Sequence, residues 1–114
     1  MNTRQLDATL NALADPKRRA VIDMLSKEPT CASDIAREFD MSLPAMSRHL
    51  RVLRKTGLIE DKRVEEDARV RMYQLKRDRF AELGDWLSEL EKFWSAQLVA
   101  LKHYVESEGP QSKK

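Results

Sequence analysis

The chain has 114 residues, of which 41% are hydrophobic and 35% are charged, and its formal net charge is +2. This length fits one domain, or one domain with a helical extension, and its small core makes oligomerisation an expected source of further stability. The single cysteine excludes an intramolecular disulfide and suits a reducing compartment. No apolar run approaches the roughly 20 residues of a membrane span, and no signal peptide is evident. We therefore predict a cytoplasmic protein with no membrane partner.

The apolar spacing of the first third of the chain predicts two helices. The first covers residues of about 3–14. The Asp15-Pro16 pair ends this helix and begins the second one. Aspartate is a good N-cap, and proline fits the first turn of a helix. The second helix ends near Lys27.

Two further helices follow, separated by a short turn. Thr30 is the predicted cap of the third, short helix. Ser42 is the predicted cap of the fourth, with Pro44 in its first turn. Gly57 ends the fourth helix, since glycine readily adopts the left-handed conformation found after helices.

The periodicity changes after this glycine. Two short segments at residues 58–64 and 69–75 flank four residues with three acids, which predicts a β-hairpin. Asp78 is the predicted cap of a last, long helix that runs to about Glu106. The fold class is therefore mainly α with a small β-hairpin, a winged helix-turn-helix in the order α-α-α-α-β-β-α.

Positive charge is concentrated in residues 42–77, which carry 10 Lys and Arg against 5 Asp and Glu. A localised basic segment in a near-neutral chain indicates a polyanionic partner, here double-stranded DNA. The second helix of a helix-turn-helix packs one face on its domain and places the other in the major groove. A merely solvated basic helix is the alternative, but the cap, apolar stripe, glycine stop and basic hairpin follow the order that the motif requires.

The predicted division of labour on the fourth helix follows from its spacing. Met46, Leu50 and Leu53 form the packed face. Arg48 is expected to contact guanine, and the basic residues near the helix end are expected to contact phosphates. The predicted DNA contacts are Ser42, Pro44, Ala45, Ser47, Arg48, His49, Arg51, Arg54 and Lys55 on the helix, and Lys62, Arg63, Arg69 and Arg71 on the hairpin.

Two stretches, LADPKRRAVIDML and MSLPAMSRHLRVLRKTGLIE, resemble the ArsR/SmtB family of bacterial winged-helix repressors, and the likeness extends through RVRMYQL to about residue 76. The resemblance implies a homodimer that pairs through its first and last helices, binds a palindromic operator and represses transcription. The C-terminal FWSAQLVALKHYVE is similar to the SdpR-like branch of autorepressors, which lacks a metal site. Family wings often have glycine at the tip, whereas Glu65-Glu66-Asp67 here is expected to keep the tip off the DNA.

The last helix has an apolar stripe too long for the small preceding domain to cover, so a second copy of the chain is its expected cover. The predicted dimer interface comprises Leu6, Leu10, Leu13, Leu87, Leu90, Trp94, Leu98 and Leu101. Trp86, Phe93 and Trp94 could instead line a ligand pocket between subunits, but aromatic residues at helical spacing more often form core or interface.

We predict no metal site and no cofactor. Cys31 stands where metal-sensing members of the family have Cys-x-Cys, and Ser33 replaces the second cysteine. His103 and Glu106 match half of another family zinc site, but residues 90–92 read Leu-Glu-Lys where an Asp-x-His pair is needed. One thiolate or one such pair cannot supply the ligands that a metal requires.

No nucleophile–base pattern and no phosphate-binding glycine loop are present, so we predict that the chain is not an enzyme. The organisation that we expect is a DNA-binding domain with an N-terminal dimerisation helix over residues 1–77, a dimerisation helix over 78–106 and a disordered tail over 107–114. Two alternatives stay open: a sensor of the same family that responds to a ligand or to oxidation of Cys31, and a module that recruits a protein through the long helix. Any small-molecule or protein effector is unassigned.

Overall fold

The computed structural model describes residues 1–64 and 67–112. The chain divides into two compact units, Met1–Ala81 and Glu82–Lys114. The order of elements confirms the predicted winged helix-turn-helix and adds one strand. The elements are α1 (Thr3–Leu13), α2 (Pro16–Lys27), β1 (Thr30–Cys31), α3 (Ala32–Glu38), α4 (Leu43–Lys55), β2 (Ile59–Val64), β3 (Asp67–Leu75) and α5 (Arg77–Ser112).

The junction between α1 and α2 is closed by hydrogen bonds in both directions. Asp15 caps α2, since its Oδ1 accepts from the backbone N–H groups of Lys17 at 2.8 Å and Arg18 at 3.1 Å. Arg18 and Arg19 reach back and donate to carbonyl oxygens at the end of α1, including that of Leu13 at 2.8 Å from Arg19 Nη1. The first two turns of α2 therefore satisfy helix-end groups of both helices.

One hydrophobic core holds the first unit together. The predicted packed face of α4 is confirmed, because Met46, Leu50 and Leu53 are buried. Full burial of an aliphatic side chain of this size contributes about 1.5–3 kcal/mol. The buried apolar residues are Ala12, Val21, Leu25, Ile35, Ala36, Met46, Leu50, Leu53, Leu58 and Ile59.

Helices α3 and α4 end in the same backbone motif. Asp40 has φ of 51° and Gly57 has φ of 79°, so each adopts the left-handed conformation just after its helix. The next residue then donates back across the last turn, from Met41 N to Ala36 O at 2.9 Å and from Leu58 N to the Leu53 carbonyl oxygen at 3.0 Å. These are Schellman motifs, and the predicted role of Gly57 is confirmed.

The wing is part of a three-stranded antiparallel sheet in the order β1-β3-β2. Strands β2 and β3 form the predicted hairpin, with Asp61 opposite Tyr73 and an irregularity between Arg63 and Val64. The prediction that Thr30 caps α3 is wrong. Thr30 lies opposite Tyr73 in strand β1, and Cys31 takes the N-cap position without a side-chain hydrogen bond. A two-residue strand is too short to show an alternating pattern.

Helix α5 differs from its prediction at both ends. It begins at Arg77, so Asp78 lies in the first turn rather than at the cap. It continues to Ser112, so residues 107–112 are helical where a disordered tail was expected. Serine, glycine and proline in this segment are poor helix formers, which is why the sequence predicted an end near Glu106. Lys113 and Lys114 lie outside the described residues. None of the described helices combines the length and apolarity that crossing a bilayer demands.

Candidate nucleic-acid interface

Helix α4 has one buried face and one exposed face. Its start is capped by Ser42, whose Oγ accepts from Ala45 N at 3.2 Å. Pro44, Arg48 and Arg51 are exposed, opposite the buried stripe. The first turn of α4 is therefore open to solvent with its N–H groups near the helix end, a geometry that favours phosphate.

The remaining predicted contacts of the first turns are less open. Ala45 and Ser47 are half-buried. Their small side chains leave the backbone close to the surface, which suits the close approach of a helix end to base edges.

His49 is also half-buried, and its Nδ1 is buried without a hydrogen-bond partner among the described residues. That edge of the ring is enclosed by protein, so a DNA contact by His49 would have to use another edge.

The far end of α4 is connected to the wing through an acid that the sequence analysis did not single out. Asp61 on β2 accepts from Arg54 Nη1 at 3.3 Å and from Arg71 Nη1 at 2.6 Å. The hydrogen bond from Arg71 holds the pKa of the Asp61 carboxyl below its usual value. Two predicted phosphate contacts, Arg54 and Arg71, thus share one carboxylate.

The other basic residues of the wing are only partly accounted for. Lys55, Lys62 and Arg63 are exposed. The side chain of Arg69 and the wing-tip residues Glu65 and Glu66 lie outside the described part of the structure, as does the side chain of Asp67. The expectation that the acidic tip stays off the DNA therefore remains a prediction.

Comparison with known proteins decides the family. The sequence matches the model described as bacterial regulatory protein, arsR family, over residues 15–61, from the cap of α2 into β2. It is similar to the HTH-type transcriptional regulator Rv2034 of Mycobacterium tuberculosis, with 34% identity over 106 residues that cover 93% of this chain and 94% of the relative. The chain belongs to the ArsR family. It is therefore a DNA-binding transcriptional regulator and not an enzyme, as the sequence predicted.

Solved structures of ArsR family proteins share its fold. The ArsR family transcriptional regulator RHA00566 is 35% identical, with a TM-score of 0.74 over 83% of this chain and 95% of that one. An ArsR-like transcriptional regulator from Rhodococcus sp. RHA1 is 25% identical, with a TM-score of 0.75 over 88% of this chain and 92% of that one. The transcriptional repressor SdpR of Bacillus subtilis is 36% identical over 58 residues, which cover 51% of this chain and 64% of the relative.

ArsR family regulators typically act as dimers, and each unit of this chain exposes apolar residues that were predicted to pair. On α1, Leu10 is 41% exposed, while Leu6 and Leu13 are half-buried and Leu13 packs against the core. In the second unit the exposed large hydrophobic residues are Leu87, Leu90, Phe93, Trp94, Leu98, Val99, Leu101, Tyr104 and Val105.

Cys31 occupies the position that was compared above with a family metal site. Cys31 is half-buried, with its Sγ 3.4 Å from Ser33 Oγ. Among the residues whose side chains the structure describes, 1–64 and 70–107, no three His, Cys, Asp or Glu side chains form a group that could hold a metal ion. A shallow cavity of about 280 Å³ lies beside Cys31 and is also lined by Val70, Arg71 and Tyr73.

Proposed function

We propose that the chain is a homodimeric transcriptional repressor that binds a palindromic operator through α4 and the wing, regulates its own gene and does not respond to metals. The observation that carries this proposal is the two-faced helix α4. Met46, Leu50 and Leu53 anchor it in the core, while Arg48 and Arg51 stand exposed on a helix whose start is capped and open. A helix held in this way can enter a major groove without losing its packing.

The proposed homodimer rests on the exposed apolar face of the second unit. Trp94 is 56% exposed and Leu98 is 62% exposed. Contiguous apolar surface of this kind is costly in water and marks an interaction site. We take a second copy of the chain as its cover, with α1 of each copy contributing Leu6, Leu10 and Leu13.

The palindromic operator follows from the proposed dimer. Most homodimers have two-fold symmetry. Two symmetry-related α4 helices would then read two inverted half-sites, about one helical turn of DNA apart or a multiple of it.

The test begins with duplexes selected from a random library by the full-length chain. We expect an inverted repeat, bound far more tightly than a scrambled duplex, with affinity that falls steeply as salt increases. We also expect a reporter under the upstream DNA of the chain's own gene to be silenced when the chain is supplied. Failure to enrich any sequence, or binding that is insensitive to salt, would contradict DNA recognition, and silencing that requires an added metal would contradict the metal-free proposal.

A sensor that responds to a ligand or to oxidation is the second candidate. It is favoured by the position of Cys31, which pairs with Met72 across β1 and β3 and lies beside the 280 Å³ cavity. A modification of Cys31 would act on its partner strand β3, which also forms the wing. Operator affinity measured before and after mild oxidation, with Cys31→Ser as control, separates the two candidates.

A further inference from the structure

Asp61 lies between the two parts of the proposed DNA interface. Its Oδ1 accepts from Arg54 in the last turn of α4, and its Oδ2 accepts from Arg71 on β3. Both carboxylate oxygens are therefore used, one toward the helix and one toward the wing. The bridge spans three elements, because Asp61 itself belongs to β2.

The strand register explains why these groups meet. Asp61 is opposite Tyr73, so Arg71 is its diagonal neighbour on the same face of the hairpin. Ile59, two residues earlier on that face, is buried in the core against which α4 packs. Asp61 thus stands at the border between the core and the exposed wing, within reach of the end of α4.

The exposure of the three side chains is unequal. Asp61 is 11% exposed, whereas Arg54 is 47% and Arg71 is 46% exposed. Each guanidinium gives one Nη1 donor to the acid and has five N–H donors in all. The carboxylate is enclosed, and the two cations that it holds still present donors to solvent.

We infer that Asp61 is a positioning residue of the DNA interface, which holds Arg54 and Arg71 in one orientation and thereby sets how well the chain distinguishes its operator from other DNA. This inference rests on the proposed function. With the bridge intact, the two guanidinium groups meet phosphates only where the backbone follows the path imposed by α4 in its specific register. Without it, each arginine can follow phosphates on any duplex.

Long-range electrostatics alone predicts that loss of the Asp61 charge strengthens operator binding, whereas a positioning role predicts that it weakens it. Removing a negative charge beside a DNA surface should strengthen binding to every duplex. A positioning role predicts weaker binding to the operator together with equal or stronger binding to random DNA. The quantity to follow is therefore the ratio of the two affinities, and not either affinity alone.

Glu60 provides a matched control on the same strand. Its Oε1 accepts from Gln74 Nε2 at 3.3 Å. Glu60→Gln makes the same change in charge as Asp61→Asn, one residue away. It leaves the bridge to Arg54 and Arg71 in place.

The experiment measures the affinities of the full-length chain for a library-selected duplex and for a scrambled duplex of equal composition, over a range of salt concentrations. Wild type, Asp61→Asn, Asp61→Glu and Glu60→Gln are compared, each first checked for folding by thermal unfolding. Asp61→Glu keeps the charge and displaces it by one methylene group. We expect both Asp61 variants to lower the affinity ratio by about fivefold or more, in the range found for coupled ion networks, and Glu60→Gln to leave it unchanged.

The outcomes separate the inference from the proposed function. A wild-type chain that does not prefer the selected duplex overturns the proposed function, and the inference with it. A wild-type chain that discriminates, beside a folded Asp61 variant with an unchanged ratio, overturns the inference alone. If Asp61→Asn does not fold, Asp61→Glu decides, because it retains the acid and moves only its position.

Discussion

The guanidinium of Arg79 packs against Gly57. Its Nε lies 3.4 Å from the position that a Cβ at residue 57 would occupy, and it donates to the Thr56 carbonyl oxygen at 3.2 Å. The start of α5 thus covers the end of helix α4, at a point where the backbone has φ of 79°. The glycine is required for its backbone conformation, whereas an added Cβ would meet Arg79 at ordinary van der Waals distance.

Gly57→Ala is therefore expected to destabilise the chain by at least about 1 kcal/mol, since a left-handed conformation costs a residue with a Cβ about 1–2 kcal/mol. Gly84→Ala is the matched control. Gly84 lies within α5, and apart from its chain neighbours and the backbone of its own helix no described atom lies within 4 Å of an added Cβ. The same substitution should therefore stabilise by up to about 1 kcal/mol. Urea unfolding of both variants measures the change in the free energy of unfolding, which should fall for Gly57→Ala and rise for Gly84→Ala. A neutral Gly57→Ala would show that the end of α4 can rearrange without cost.

The cap of α2 should make stability depend on pH in the acid range. The backbone N–H of Arg18 holds the pKa of Asp15 below its ordinary value. A lowered folded-state pKa means that this contribution is complete above the unfolded pKa of about 3.9. It is lost as the pH falls below that value and through the folded-state pKa.

Asp15→Asn keeps an oxygen that can cap the helix but has no acid to titrate, so it should flatten this part of the pH profile. Asp15→Ala should cost about 0.5–2 kcal/mol near neutral pH. Thermal unfolding from pH 7 down to pH 2 gives both results. If Asp15→Asn leaves the acid part of the profile unchanged, the pH dependence of stability arises from other carboxylates such as Asp61.

Arg48 should read base edges. Arg48→Ala is expected to cost about 1–3 kcal/mol on the selected operator and much less on random DNA. Arg69→Ala on the wing should weaken binding to all sequences about equally and reduce the salt slope by about 1. Lys102→Ala, which removes a positive charge from the second unit, serves as the control. Equal losses on both duplexes for Arg48→Ala would reduce this residue to a phosphate contact.

Self-association should depend on the exposed apolar face of α5. The double variant Trp94→Ala/Leu98→Ala is expected to sediment as a monomer and to bind a single half-site weakly. Lys92→Ala/His103→Ala changes two residues on the opposite side of the same helix by spacing. That control should remain dimeric. A dimeric Trp94→Ala/Leu98→Ala variant would locate the interface elsewhere.

Operator binding by the reduced chain should be indifferent to zinc, cadmium, arsenite and chelators at low micromolar concentration. A metal can release a repressor only if it binds one conformation better than another, and this requires several converging ligands. The measurement is operator affinity with and without each metal, beside Cys31→Ser. A tenfold loss with one metal that disappears in Cys31→Ser would restore a metal sensor.

The local features of the fold, including the β2–β3 hairpin, were predictable from the sequence, and the pairing of residues far apart in the chain was not. Ser42 and Gly57 mark the ends of α4 because a cap or a left-handed turn needs only the neighbouring residues. The strand that contains Thr30 exists because it meets Tyr73, far away in the chain. Two residues of strand carry no periodic signal of their own.

The candidate site divides in the same way. The apolar stripe of α4 predicted which residues face the core, and the exposed Arg48 and Arg51 agree with it. The bridge from Asp61 to Arg71 depends on the register of the hairpin, which an acid-rich loop does not reveal. The enclosed ring edge of His49 depends on tertiary packing that its position on the helix does not determine.

Strand β2 lies at the edge of the three-stranded sheet, with β3 on its inner side. The outer edge of such a strand is a template for intermolecular sheet growth. Glu60, Asp61, Lys62 and Arg63 place a charge at each of four successive positions on it. A foreign strand could pair there only by bringing its own side chains against two acids followed by two bases, so we expect these four charges to oppose edge-to-edge aggregation of the folded chain.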